Sequence, residues 1–307
     1  MNMYQHLEVQ HENQIVLLII DPQNDFHEGG SLAVPGAVED AHRIAKLITD
    51  NKDKIGEIFV TMDSHHKKHI AHASFWSNKP SDKKGIGESP SPFTLIKSDE
   101  INKKWFPRDC TLDDYAKNYA TKLEKKGRFS LIIWPDHCLI GTKGHAVYDC
   151  IQTAIREWDI SHATKYVKHI FKGSNNLTEM YSAIQAEVPV RTDQTTTLNT
   201  ELLNELRKAG RLLVVGQAKS HCVNFTVRDI VEDWRNNGKN LSDLYILKDA
   251  MSNVGGFEPQ GDEFEMDMKK EGVTITTTNF AFDDPYRRFS SPTMLSISKS
   301  DKFNQII

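Results

Sequence analysis

Groups able to do chemistry stand at the ends of four apolar runs in this chain. Cys222 lies in Gly216-Gln217-Ala218-Lys219-Ser220-His221-Cys222-Val223, directly after the apolar run 212–215. A buried strand that breaks at Gly216 and resumes helical spacing at Val223, Thr226, Val227, Ile230, Val231 and Trp234 leaves the cysteine at or near the first turn of a helix. Unpaired N–H groups and the positive end of the helix dipole favour an anion there, so the sulfur would ionise readily and act as a nucleophile. Taken alone, the position suits better a small apolar residue packing a strand-to-helix turn.

Asp21 closes the run QIVLLIID, where a carboxylate is either a local cap or a proton carrier. Asp63 and His65 close GEIFVTM-Asp-Ser-His. Residues two apart at a strand end point to one side, so carboxylate and imidazole can converge on a cation. Further histidines follow at His66, His69 and His72, as surface residues or ligands. Lys172 ends KYVKHIF, either as an exposed charge or as a cation for a site.

These positions need elements that bring them together. Strands are expected at 14–21, 56–62, 130–134, 165–171, 212–215, 244–248 and 273–277. Helices are expected at 37–50, 112–126, 145–158, 178–187, 199–209, after Cys222, and near 262–271. Continuous apolar strands alternating with helices imply an α/β fold: three layers, α/β/α, around a central, mostly parallel sheet. In such sheets ligands bind at the carboxyl ends of the strands, where Asp21, Asp63, Lys172 and Cys222 all fall. One domain over 1–307 is the expected organisation, with an enlarged insertion at about 76–129 and a polar tail from about 283.

With 42 acidic against 38 basic residues and a net charge of -4, nothing in the composition favours nucleic acid or membrane as a partner. No run approaches the length of a membrane span, and the polar N-terminus carries no signal-peptide core, so a cytoplasmic location is expected. Cys110, Cys138, Cys150 and Cys222 lack close paired spacing and are expected as reduced thiols. A homo-oligomer is compatible with the sequence.

The motifs IIDPQNDF with GGSLAVPGA, DSHHKKHIAHASF, WPDHCLIGTKG, FKGSNNLTEMYSA and VVGQAKSHCVNFT, in this order, resemble the isochorismatase-like cysteine hydrolases, and among them the nicotinamidase branch. The resemblance runs from about Ile15 to Ile275. It implies a triad of Asp21, Lys172 and Cys222, and one divalent metal held by Asp63, His65 and His137. It also implies an oxyanion hole from the backbone N–H groups of Ala218 and Cys222, beside a cis Gln217-Ala218 bond. Phe26 and Trp134 would sandwich a substrate ring, and His69 matches a histidine that follows the metal motif. Two imidazoles and a carboxylate suit zinc, iron or manganese. The sequence departs from the family pattern at Lys219-Ser220-His221, Ser64 and His66, which flank the implied site. His221 either touches substrate or stands at the surface. The resemblance implies hydrolysis of a small-molecule amide, nicotinamide first. Another amide or ureido substrate, or a binding protein on the hydrolase fold, are the alternatives.

Overall fold

The computed structural model describes residues 14–81, 87–126 and 129–283. Its centre is a six-stranded, all-parallel sheet formed by β1 (Ile15–Ile20), β2 (Ile55–Asp63), β7 (Lys168–Lys172), β8 (Arg211–Gly216), β9 (Leu244–Leu247) and β10 (Thr274–Thr276), in the order β10-β9-β8-β1-β2-β7. The apolar run of β1 is continuous because both faces are covered. Val16, Leu18 and Ile20 enter one core while Leu17 and Ile19 enter the other.

Helices α1 (Ala37–Asp50) and α3 (Asp149–Ser161) cover the second face, contributing Ile44, Ile48, Ile155 and Trp158. On the first face lie α2 (Asp113–Lys126), α4 (Thr200–Arg207), α5 (Asn224–Asn236) and α6 (Glu258–Lys270), which contribute Tyr119, Leu206, Trp234 and Phe264. The result is the expected three-layer α/β/α arrangement.

The chain runs outward from β1 through β2 to β7, then crosses back to β8, so the order reverses between β1 and β8. A crevice opens at such a switch point, above the carboxyl ends of the strands. Register then sets what meets there: Asp63 pairs with Lys172 across β2 and β7, and Ile20 with Gly216 across β1 and β8.

Two expectations are revised. The expected 178–187 helix is irregular chain, because its backbone groups are taken by tertiary partners: Tyr119 Oη accepts from Glu179 N and Thr226 Oγ1 from Ala183 N. The short strand near 130–134 exists as β6 (Leu131–Ile132), but it pairs antiparallel with β4 (Leu95–Ile96), outside the central sheet. A second ribbon joins β3 (Trp76–Ser77) to β5 (Phe106–Pro107). The stretch 76–129, expected as an insertion, contains β3, β4, β5 and α2, and α2 seats Ala116, Tyr119, Ala120 and Leu123 in the core. The tail beyond Asp283 lies outside the described residues.

Candidate active site

Asp21 leaves β1 with φ 43, a conformation uncommon for a residue with a side chain. Thr61 on β2 holds it there: Thr61 Oγ1 donates to Asp21 Oδ1 at 2.5 Å and accepts from Asp21 N at 3.0 Å. Gln23 ties the neighbouring strand end, its Nε2 donating to Asp63 O and its Oε1 accepting from Asp63 N, each at 2.7 Å. Asp25 reaches the loop after β6, accepting from Cys138 N at 2.6 Å and so fixing the chain next to His137.

The four strand-end residues meet. Lys172 Nζ is 3.0 Å from Asp21 Oδ2, 3.0 Å from Asp63 Oδ1 and 3.6 Å from Cys222 Sγ, and donates to Met180 O at 3.0 Å. All four side chains are buried. Burial alone would discharge Lys172, yet Asp21 and Asp63 outweigh it and raise its pKa well above the ordinary lysine value. For Asp63 burial acts the other way, but His65 and Lys172 hold it well below the usual carboxylate range. Asp21 is raised, by burial first and by Asp63, against the pull of Lys172.

Cys222 differs from the sequence expectation. It sits in a wide π-type turn (Lys219–Val223) just ahead of α5, and burial pushes its thiol well above the ordinary value despite Lys172. Desolvation outweighs the helix end here and favours the thiol over the thiolate. Gln217-Ala218 is cis, and Ala218 N donates to no backbone acceptor among the described residues.

Beside this cluster stand three histidines. His65 Nδ1 lies 3.0 Å from Gly173 O, His137 Nδ1 2.8 Å from Pro135 O and His72 Nδ1 3.3 Å from Lys67 O. A carbonyl only accepts, so each Nδ1 carries the proton and each Nε2 offers a lone pair. One nitrogen of each of the three falls within 4.8 Å of the others. Asp63 Oδ2 lies 2.9 Å from His65 Nε2 and 3.2 Å from His137 Nε2, while His72 Nε2 is buried without a partner. Lone pairs facing a carboxylate oxygen require a positive charge between them, and the donor set fits a divalent transition metal.

His72 was not singled out by the sequence, which offers five histidines between 65 and 72 and 137 without a period to rank them. His69 does not join them. Its Nδ1 accepts from Ala71 N at 3.2 Å, its Nε2 meets Thr178 O at 3.0 Å, and its ring packs 4.4 Å from that of His65. Both nitrogens are used by the backbone, so it braces His65.

A small cavity of about 20 Å³ opens onto Cys222. Phe26, Trp134, His137, Glu179, Tyr181 and His221 are among its walls. Phe26 and Trp134 are therefore brought to the same space as the sulfur, and His221 is a buried wall residue, not a surface one. Sequence reasoning missed Tyr181, whose hydroxyl accepts from Trp134 Nε1 at 2.9 Å, and Glu179, whose Oε2 is buried and without a hydrogen-bond partner. Burial raises the Glu179 carboxyl above its ordinary value, with His65 opposing.

No family model matches the chain. Among curated proteins it is 27% identical to the nicotinamidase of Saccharomyces cerevisiae over 217 residues, covering 70% of this chain and 81% of that protein. It is 25% identical to the nicotinamidase of Escherichia coli over 218 residues, covering 70% and 76%. The yeast nicotinamidase structure bound to the inhibitor nicotinaldehyde shares the fold with a TM-score of 0.57 at 20% identity, covering 86% of this chain and 100% of that one. In sequence and in fold, then, the chain is similar to nicotinamidases.

Proposed function

We propose that the protein is a metal-dependent cysteine amidohydrolase that converts nicotinamide and water into nicotinic acid and ammonia. The observation that carries this reading is the convergence of Lys172 Nζ on Asp21, Asp63 and the Cys222 sulfur within 3.6 Å. In amide hydrolysis a nucleophile, a proton carrier and donors for an oxyanion are needed.

Asp21 takes the thiol proton as sulfur attacks the carboxamide carbon, and Lys172, next to both groups, offsets the negative charge as it passes from the carboxylate through the sulfur to the attacked carbonyl oxygen. Because burial disfavours the thiolate, proton transfer and attack belong to one event. The N–H groups of Ala218 and Cys222 receive the developing oxyanion. Asp21, now protonated, gives its proton to the departing nitrogen, leaving an acyl thioester on Cys222 and free ammonia. Asp21 then draws a proton from water, whose oxygen attacks the thioester to release the carboxylic acid and restore the thiol. Phe26 and Trp134 hold the ring flat while this happens. Asp63, His65, His72 and His137 would hold zinc, iron or manganese, which when bound supplies a Lewis-acidic charge and an open position for a ring nitrogen or water.

The test is ammonia release from nicotinamide, pyrazinamide and a panel of aliphatic and ureido amides, with and without chelator. Nicotinamide is expected to lead the panel and chelation to suppress it. Equal rates on aliphatic amides, or full activity in metal-free protein, would overturn the reading.

A further inference from the structure

Asp63, His137 and Glu179 line the cavity together with His221, Tyr181 and Val254. No charged group of the cluster acts on His221, whose imidazole is governed by burial alone and pushed down to about 4. It is therefore neutral at ordinary pH and carries one N–H.

Which nitrogen carries it follows from Ser220. Ser220 Oγ accepts from Val254 N at 3.1 Å and lies 2.9 Å from His221 Nδ1. Ser220 is buried, and its hydroxyl proton has no other acceptor among the described residues. An unused buried hydroxyl proton is costly, so Ser220 donates to Nδ1 and the imidazole proton sits on Nε2. Nε2 meets no protein acceptor among the described residues. The ring is wedged edge-on against Trp134, Tyr181 and Phe257, with centroids 5.2, 5.3 and 4.8 Å away, so it cannot swing out to solvent without repacking. A fixed, neutral, unspent donor thus stands in the wall of the cavity that holds the sulfur.

We propose that His221 is a specificity-determining residue whose Nε2–H reads a hydrogen-bond acceptor on the substrate ring, so that the enzyme favours aromatic carboxamides with a second ring acceptor. This rests on the amidohydrolase reading above and names the substrate class of the same cavity. Ser220 is a positioning residue, acting through the tautomer of its neighbour.

The experiment compares nicotinamide with three isosteric diazine carboxamides: pyrimidine-5-, pyrazine-2- and pyridazine-4-carboxamide. Each moves a second nitrogen to a different ring position at nearly constant size. kcat and KM are measured for wild type, His221→Gln, His221→Asn and Ser220→Ala. A glutamine amide N–H falls near Nε2, whereas an asparagine amide falls near Nδ1. At least one diazine is expected to gain about five- to tenfold over nicotinamide in wild type, the scale of one neutral hydrogen bond, mainly through KM. His221→Gln should keep that preference and His221→Asn should lose it, with Ser220→Ala between them. Glutamine and asparagine variants with equal preferences, or diazine-to-nicotinamide ratios unchanged from wild type in both, would overturn the inference. Wild type that hydrolyses none of the four compounds removes the functional reading itself, and turnover with ratios indifferent to position 221 removes this inference alone.

Discussion

One lysine charge balances two carboxylates and a sulfur at the centre of this site, and that imbalance governs what substitution does. Lys172→Met leaves Asp21 and Asp63 buried without their shared cation, and is expected to cost about 3–5 kcal/mol in denaturant unfolding besides abolishing turnover. Cys222→Ala removes only the nucleophile. It should unfold like wild type and lose about 10⁵-fold or more in kcat, read as ammonia release. Asp21, Asp63, Lys172 and Cys222 were legible in the sequence because each closes or follows an apolar strand, and a parallel sheet gathers such ends on one side. His72 and Glu179 were not legible. Whether a histidine in the run 65–72 turns inward depends on the loop path, which only Lys67 O, Gly173 O and Thr178 O reveal. Glu179 was assigned to a helix that tertiary hydrogen bonds replace.

At the level of elements, the site depends on how closely β1 and β8 approach where they end. Gly216 has φ 115, and a Cβ there would lie 2.0 Å from Ile20 O, backbone that cannot yield cheaply. Gly216→Ala is therefore expected to destabilise the fold severely or prevent soluble expression, measured by thermal melting, whereas at exposed Gly238, with φ 69 and no atom within 4 Å, a side chain meets backbone strain alone and should cost less. The insertion helix α2 has a more selective role. Tyr119 Oη accepts from Glu179 N, so Tyr119→Phe strands a buried N–H and should cost about 1–3 kcal/mol. Because Glu179 lines the cavity, the same variant should raise KM, linking the insertion to the pocket wall. The helix and strand positions were largely readable from apolar spacing. The two small ribbons were not, since two-residue pairings such as Leu95–Ile96 with Leu131–Ile132 carry no periodic signal.

Across the molecule, buried imidazoles make the fold sensitive to acid. Burial first, with neighbouring imidazoles next, holds His72 down to about 2, and burial alone holds His221 to about 4. The unfolded chain takes up these protons from about pH 6.5 downward while the folded chain does not, so stability is complete above that value and falls as pH drops toward 4. His65 is raised, Asp63 outweighing burial, and contributes with the opposite sign: its stability is present below about pH 6.5 and fades as pH rises through its folded value. Denaturant unfolding of chelated protein from pH 7 to 4.5 should show the net loss in acid. The slope should be shallower in His221→Gln by at most about 1.4 kcal/mol per pH unit, and an identical slope in both proteins would contradict the burial of that ring.

The order of strands in the central sheet has a consequence for how activity is gained. Residues 21, 63, 172 and 222 come from β1, β2, β7 and the turn after β8, so the reactive cluster spans the sheet's switch point and both directions in which the chain winds from it. No fragment ending before β8 contains the sulfur, and none beginning after β2 contains either acid. In refolding, secondary structure and core fluorescence should therefore recover ahead of ammonia release. Catalysis is the last signal to return, and a nicked chain that retains most of its helices should be inert.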